Sequence, residues 1–421
     1  MNKVLAMLLM SLFDVLNAWT MPEARLTAPQ LIRYWKYPVE VRNATTEDGY
    51  ILEMHRIPRG VNVGRFGKLK RPVVFIQHCL QCTSKHMIMN LPNQTLPFIL
   101  ADAGFDVWLG NMRGNLYSKY HVKYRPDSRE YWNFTLDEMA KYDLSGQIDE
   151  VLKVTGQEKL HYVGHSQGTL TMFSKLSMDP EYGRKLKRFF ALAPIGTIKH
   201  VQGFIGFLGR DLYPVMEGIY WLRPYSSFAP EFLEKLIEVA GPLICGANVV
   251  DEVCRNVMML IVGKSSNQLN GTRMDVYLSD MPGGTSTKNI MHWGQLAKYG
   301  TLQRFDYMDK HKNLKQYGTA KPPKYDFSRI KTPIHLYWSS KDWLATEKDI
   351  NEFILKDIPK QYIVTNNKLS NYNHIDFIWG LRAAKEIYYP MVQTMKEDER
   401  LSTNKKQKHK KQRHKKQKQI C

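Results

Sequence analysis

The stretch Leu160-His-Tyr-Val-Gly164-His-Ser166-Gln-Gly168-Thr-Leu-Thr-Met-Phe-Ser-Lys-Leu-Ser-Met178 decides the architecture. Leu160 to Val163 is a short apolar run with β-branched and aromatic character, which reads as a buried strand. Thr169 to Met178 reads as a helix that stops before Pro180. Between them lies Gly164-His165-Ser166-Gln167-Gly168, a G-x-S-x-G pattern. Strand, sharp turn and helix in that order lift the Ser166 hydroxyl out of the sheet, and the two glycines relieve crowding between strand and helix backbones. Without the strand and helix on either side, the same five residues would be an ordinary Gly-rich turn.

Outward from this turn, β-rich runs alternate with helical patterns. Val73–Ile76, Phe105–Leu109, Phe189–Leu192 and Ile334–Trp338 read as further strands. This alternation predicts an α/β fold with a mostly parallel sheet. Residues 136 to 154 predict a helix, with Leu136, Met139, Ala140, Leu144, Ile148, Val151 and Leu152 on one face. Thr135 and Glu138 form a capping box at its start and Gly156 follows its end. From Ile195 to Lys321 the rhythm breaks into helical, aromatic sequence without clear strands, so this stretch reads as an insertion into the α/β core.

A serine hydroxyl is a poor nucleophile unless a general base takes its proton, and the base needs an orienting acid. In a fold of this kind the chain order is serine, acid, histidine. Asp342 lies just beyond the strand Ile334–Trp338, and His374 sits in Asn371-Tyr-Asn-His374 near the end of the core. Asp349, in a helical pattern, and Asp376, two residues after the histidine, are rival acids. His165, inside the turn, reads as a support for the site more than as its base.

Of 421 residues, 43% are hydrophobic and 24% charged, enough apolar material for a large core and too little charge for a disordered chain. Residues 401 to 421 hold nine Lys and Arg and no acid, about half of the net charge of +20. The remainder is only mildly basic, a poor match to a nucleic-acid-binding domain. The basic run itself reads as a solvated tail, with electrostatic attachment to an anionic membrane or another polyanion as the functional alternative.

At the other end, Lys3, the apolar run Val4–Leu16 and small residues near Ala18 read as a signal peptide over residues 1–19, with Asp14 interrupting the run. That run is shorter than the roughly 20 residues a spanning helix needs. Asn43, Asn93, Asn133 and Asn270 each begin an N-x-Thr sequon, the expected glycosylation sites of a secretory product. Five cysteines are too few for a disulfide scaffold. Cys245 and Cys254 enclose eight residues, and an oxidising compartment would permit a bridge. Cys79 and Cys82 form a C-x-x-C without thioredoxin-like surroundings, and Cys421 ends the chain.

From about Leu26 to Tyr389 the chain resembles the gastric and lysosomal acid lipases, within the α/β-hydrolases. The resemblance rests on Tyr34-Trp-Lys-Tyr-Pro38, Thr46-Glu-Asp-Gly-Tyr-Ile-Leu52, Gly110-Asn-Met-Arg-Gly-Asn115 and Asp137-Glu-Met-Ala-Lys-Tyr-Asp143. Gly164-His-Ser-Gln-Gly-Thr169, Met274-Asp-Val-Tyr-Leu-Ser279 and Tyr372-Asn-His-Ile-Asp-Phe-Ile-Trp379 complete it. It implies Ser166 as nucleophile, Asp342 as acid, His374 as base, and oxyanion-hole N–H groups at Leu80 and Gln167. It further implies a Cys245–Cys254 disulfide in a helical cap or lid formed by the insertion 195–321. The hydrolase core is then expected at 20–194 and 322–395, with the basic run read above as a tail over 396–421. No metal or organic cofactor is implied.

One departure stands out. The family has His-Gly-Leu-Leu after the third strand, and this chain has His78-Cys79-Leu80-Gln81. If the family's glycine needs a left-handed backbone, Cys79 would strain the loop by about 1–3 kcal/mol or tilt the Leu80 amide away. A Cys79–Cys82 bridge would tighten that ring further. The expected function is therefore a secreted or lysosomal serine ester hydrolase acting on lipid esters such as acylglycerols or sterol esters at an interface. A catalytically impaired, lipase-like lipid-binding protein is the alternative. Phe204–Leu208, Ile219–Leu222 and Val257–Val262 are expected to line an acyl channel, face lipid, or pack the cap.

Overall fold

The computed structural model describes residues 21–62, 70–228 and 259–401. Residues 1–20 with the expected leader, the basic run beyond Leu401, and both Cys245 and Cys254 lie outside the described residues. Among the described residues nine strands form one sheet: β1 Glu40–Thr45, β2 Tyr50–Ile57, β3 Val73–Gln77, β4 Asp106–Leu109, β5 Tyr120–His121, β6 Leu160–His165, β7 Leu186–Leu192, β8 Ile334–Trp338 and β9 Ile363–Lys368. Their order is β1-β2-β4-β3-β6-β7-β8-β9, with β5 paired to β2. Pairs from β4 through β9 are parallel, while β1–β2, β2–β4 and β2–β5 are antiparallel.

Central strands β3, β4 and β6 are buried along their whole length. A parallel sheet is covered on both faces, so such strands are continuous apolar runs and are readable in sequence. By contrast β9, Ile363-Val-Thr-Asn-Asn-Lys368, alternates half-buried and exposed residues at the sheet edge. Its polar composition carried no strand signal, and neither did the antiparallel β1, whose first four residues are exposed or half-buried.

Helices α1 (Leu96–Asp102), α2 (Leu144–Thr155) and α3 (Gln167–Met178) connect strands of the first half. The helix expected over 136–154 begins at the capping box: the Thr135 N–H donates to Glu138 Oε2 at 2.7 Å and the Asp137 N–H to Thr135 Oγ1 at 3.0 Å. It is not uniform, because Met139–Asp143 forms a π turn before α2. There Asp143 faces inward and accepts from Arg113 Nε at 2.6 Å and from the Arg113 N–H at 2.9 Å. Arg113 is buried and also grips Asp48, Nη1 at 2.6 Å and Nη2 at 2.9 Å. An apolar pattern registers helical period, not a single inserted residue that turns an acid toward a buried arginine.

Between β7 and β8 the regular elements among the described residues are helices, including α4 (Tyr213–Leu222) and α5 (Thr287–Tyr299), with isolated bridges but no strand. No described helix is long and apolar enough to cross a membrane.

Candidate active site

Ser166 stands at the end of β6 with φ 54° and ψ −117°, a conformation that costs an L-residue about 1–3 kcal/mol and persists only when its surroundings hold it. They do so through backbone: the Ser166 N–H donates to Leu192 O at 3.1 Å, while Ser166 O accepts from the Thr169 N–H at 2.8 Å and the Leu170 N–H at 3.2 Å. The flanking glycines allow the approach. A Cβ on Gly164 would lie 2.7 Å from Gly168 C and O, and one on Gly168 would lie 2.5 Å from Gln77 O. Helix α3 thus starts in contact with β3 and β6.

His374 Nδ1 lies 2.9 Å from Asp342 Oδ2 and 3.0 Å from Oδ1. Asp342 is 1% exposed, and its Oδ1 also accepts from the N–H groups of Leu344 (2.8 Å) and Ala345 (2.9 Å). A carboxylate so fixed can only accept, so the Nδ1–H of His374 donates to it and Nε2 is left turned away from the acid. His374 Nε2 is buried and has no hydrogen-bond partner among the described residues. Ser339 ties the two loops together, its Oγ accepting from the N–H groups of Lys341 and Tyr372, each at 3.2 Å.

The rival acids are engaged elsewhere. Asp349 accepts from Thr197 Oγ1 at 2.7 Å, Thr346 Oγ1 at 2.8 Å and the His200 N–H at 3.1 Å. Asp376 accepts from the Asn373 N–H at 2.6 Å, and burial pushes its carboxyl up to about 6. His165 Nε2–H donates to the main-chain oxygen of His374 at 2.9 Å, and burial lowers its ring to about 3, so it stays neutral.

Leu80 and Gln167 carry N–H groups with no hydrogen-bond acceptor among the described residues. The loop that bears Leu80 is closed by a Cys79–Cys82 disulfide. Cys79 does not adopt the left-handed backbone that would have strained it. That conformation falls on Gln81, φ 58°. Beneath the loop, His78 is a buried neutral ring: its Nδ1–H donates to Cys79 O at 2.8 Å and its Nε2 accepts from the Met112 N–H at 3.1 Å and Asn115 Nδ2 at 3.2 Å. Burial pushes the His78 pKa down to about 4. His78 was visible only as part of the loop motif, and nothing local announces its tautomer.

Of the sequon residues, Asn43, Asn93 and Asn133 are exposed and Asn270 is half-buried. Asn270 Oδ1 accepts from the N–H (3.2 Å) and Oγ1 (2.8 Å) of Thr272, and Asn133 Oδ1 accepts from the buried Lys288 Nζ at 2.9 Å.

Comparison with known proteins bears on this geometry. Residues 28–91 match the family described as a partial alpha/beta-hydrolase lipase region, and residues 72–242 match the alpha/beta hydrolase fold. Lipase lipl-1 of Caenorhabditis elegans is 46% identical over 381 residues, covering 90% of this chain and 93% of that protein. Human gastric triacylglycerol lipase is 41% identical over 383 residues, with the same coverage of both chains. A Sulfolobus solfataricus protein solved and provisionally described as a lipase shares only 12% identity, with a TM-score of 0.53 over 86% of this chain and 99% of that one, a likeness of fold. With a strand–elbow–helix at Ser166, an Asp342–His374 pair and relatives of this identity along nine-tenths of its length, the chain belongs to the α/β-hydrolase lipases, the family of the gastric triacylglycerol lipases.

Proposed function

We propose that the protein hydrolyses lipid carboxylic esters, acylglycerols or sterol esters, through an acyl-enzyme on Ser166. The observation that carries this reading is the His374 ring, bound through Nδ1 to Asp342 and leaving a buried, unpartnered Nε2. In the first step Ser166 Oγ attacks the ester carbonyl carbon as His374 Nε2 takes the hydroxyl proton. The carbonyl oxygen becomes an oxyanion, which the Leu80 and Gln167 N–H groups would receive. One such donor is worth about 10²–10³ in rate, or roughly 3–4 kcal/mol. Collapse breaks the ester C–O bond, and His374 returns its proton to the leaving alcohol. Water then attacks the acyl-enzyme with His374 again as base, releasing fatty acid and restoring Ser166.

Residues 195–321 would form the cap over the acyl cleft. Phe204, Phe207, Val215, Ile219, Trp221 and Leu222 are exposed apolar side chains of that stretch, which supports contact with a lipid surface. Residues 1–19 would direct the chain into the secretory path, to the extracellular space or the lysosome, with glycans at Asn43, Asn93, Asn133 and Asn270 and a Cys245–Cys254 bridge. The basic tail would add contact with anionic surfaces, so removal of residues 401–421 should weaken retention on anionic liposomes and leave soluble-ester turnover intact. Unchanged retention would exclude that role.

The test is hydrolysis of a medium-chain ester and an emulsified triacylglycerol from pH 4 to 8 by wild type and Ser166→Ala. Release of fatty acid that vanishes in Ser166→Ala supports the reading. A folded wild type that neither turns over nor labels with a fluorophosphonate would turn it toward the lipid-binding alternative.

A further inference from the structure

Gln167 and the loop that carries Leu80 are both gripped from the same short segment, 281–293, which lies between β7 and β8 and far from either in sequence. On one side, the loop carrying Leu80 is held at Gln81. Gln81 O accepts from the Gly283 N–H at 2.8 Å, and Gln81 Oε1 accepts from the Gly284 N–H at 3.0 Å. The contact is close enough to need glycine: a Cβ on Gly283 would lie 2.8 Å from the Cys82 carbonyl carbon. On the other side, the Gln167 side chain is 2% exposed, and its Oε1 accepts from Trp293 Nε1 at 2.9 Å and Asn289 Nδ2 at 3.2 Å.

An indole nitrogen can only donate, so the Gln167 carbonyl must face it and the amide cannot flip. The Gln167 Nε2 is left against two weak acceptors, Met112 Sδ at 3.5 Å and Met139 Sδ at 3.7 Å. Helix α5 is itself pinned where it starts: Ser286 Oγ accepts from the Asn289 N–H at 2.9 Å and donates to Phe134 O at 2.6 Å. Thus the two backbone N–H groups, on loops after different strands, are referred to one common body.

We infer that Asn289 and Trp293, with the Gln81–Gly283–Gly284 clasp, are positioning residues of the reaction that set the spacing between the Leu80 and Gln167 N–H groups. The inference rests on the Ser166 assignment proposed above. Oxyanion stabilisation depends on donors aimed at where charge develops, so a donor displaced by an ångström loses much of its effect in the transition state while ground-state binding is little changed.

The test uses the full-length protein, wild type beside Trp293→Phe and Asn289→Ala. Three quantities are measured: kcat and KM on p-nitrophenyl butyrate, inhibition by an alkyl boronic acid that mimics the tetrahedral intermediate, and binding of a non-hydrolysable ether analogue. Each substitution should lower kcat about 10-fold and weaken the boronate by a similar factor, with KM and ether binding within about 2-fold. Folded variants with unchanged kcat and boronate affinity overturn the inference, as do variants in which ether binding falls as far as kcat. Should Asn289→Ala fail to fold, Trp293→Phe, which keeps an aromatic ring but loses the indole N–H, and Gln167→Met, close in length to the native residue, decide the matter by the same criteria. Ser166→Ala is run alongside: if it keeps full turnover, the nucleophile assignment fails, whereas a dead Ser166→Ala beside unaffected Trp293→Phe fails this inference alone.

Discussion

The ring of His165 donates from Nε2 to the main-chain oxygen of His374 at 2.9 Å, with ring centroids 5.1 Å apart. A residue inside the turn at Ser166 therefore holds the backbone of the residue proposed as its base. Replacing it by Phe deletes the donor and puts a somewhat larger ring in a buried position. We expect a loss of stability of about 1 kcal/mol from the missing bond, and kcat reduced about 10-fold at unchanged KM. Chemical denaturation and steady-state kinetics check this, and a variant with wild-type kcat would remove His165 from the positioning of His374.

The Asp342–His374 contact carries its own expectation. Asp342→Asn keeps the shape of the acid but offers an N–H where Nδ1–H must donate, which favours the wrong tautomer. By analogy with serine hydrolases generally, kcat should fall about 10³–10⁴-fold with KM little affected. Asp349→Asn and Asp376→Asn should leave the rate within about 10-fold if only Asp342 orients the ring. A larger loss in either of those than in Asp342→Asn would reassign the acid.

Gly168→Ala tests the strand–helix approach. Its new Cβ would stand 2.5 Å from Gln77 O, a backbone atom of a buried strand that cannot move aside cheaply. Overpacking of that kind costs about 1–3 kcal/mol or more. The urea midpoint of any soluble product should drop accordingly, and an unchanged midpoint would contradict the packing described.

The Cys79–Cys82 bridge closes a ring so short that its entropic contribution to stability is small, about 2 kcal/mol by chain-closure arithmetic. Its larger effect is expected on the loop carrying Leu80. The double substitution Cys79→Ser/Cys82→Ser should cut kcat about 10-fold while the melting temperature moves only a few degrees. Equal activity in the double variant would show that the Gln81 clasp suffices without the bridge.

Stability should fall as the pH is lowered from about 6.5 to 4. Burial lowers His78 and His335 to about 4, and His86 and His165 to about 3, and it lowers His161 and His292 as well. Each takes up a proton less readily in the folded protein than in the unfolded chain, where it titrates near 6.5, so below that pH the unfolded chain binds more protons and gains. At pH 4.5 the loss is on the order of 2 kcal/mol for each strongly shifted ring. Asp143 and Asp376, each raised to about 6 by burial, act the other way, since the folded state takes up their protons first as pH falls from about 6 toward 4. Asp106, Asp275, Asp349 and Asp357 are raised as well, whereas Glu40, Asp48 and Glu399 are lowered and add to the loss in acid. The four strongly lowered rings, His78, His86, His165 and His335, outweigh the two strongly raised carboxyls and leave a net loss. A thermal midpoint at pH 4.5 equal to or above that at pH 7 would refute this balance.

Local pattern made much of this molecule legible from its residues alone. The buried parallel strands are apolar runs because both faces are covered, the turn at Ser166 needs its glycines, and Thr135 with Glu138 announces a helix start through bonds spanning three residues. What had no local signature came from contacts between distant segments. Only tertiary structure brings the carboxylate of Asp342 to His374 and engages Asp349 with Thr197 and Thr346. It also puts the left-handed residue at Gln81 instead of Cys79, and brings Asn289 and Trp293 to Gln167 across more than 120 residues. Side-chain type and spacing encode helix period, strand burial and turn chemistry, because those energies are set by near neighbours. Which acid meets which base, and what holds an amide in place, depends on how the sheet and its connections pack. That is a property of the folded whole.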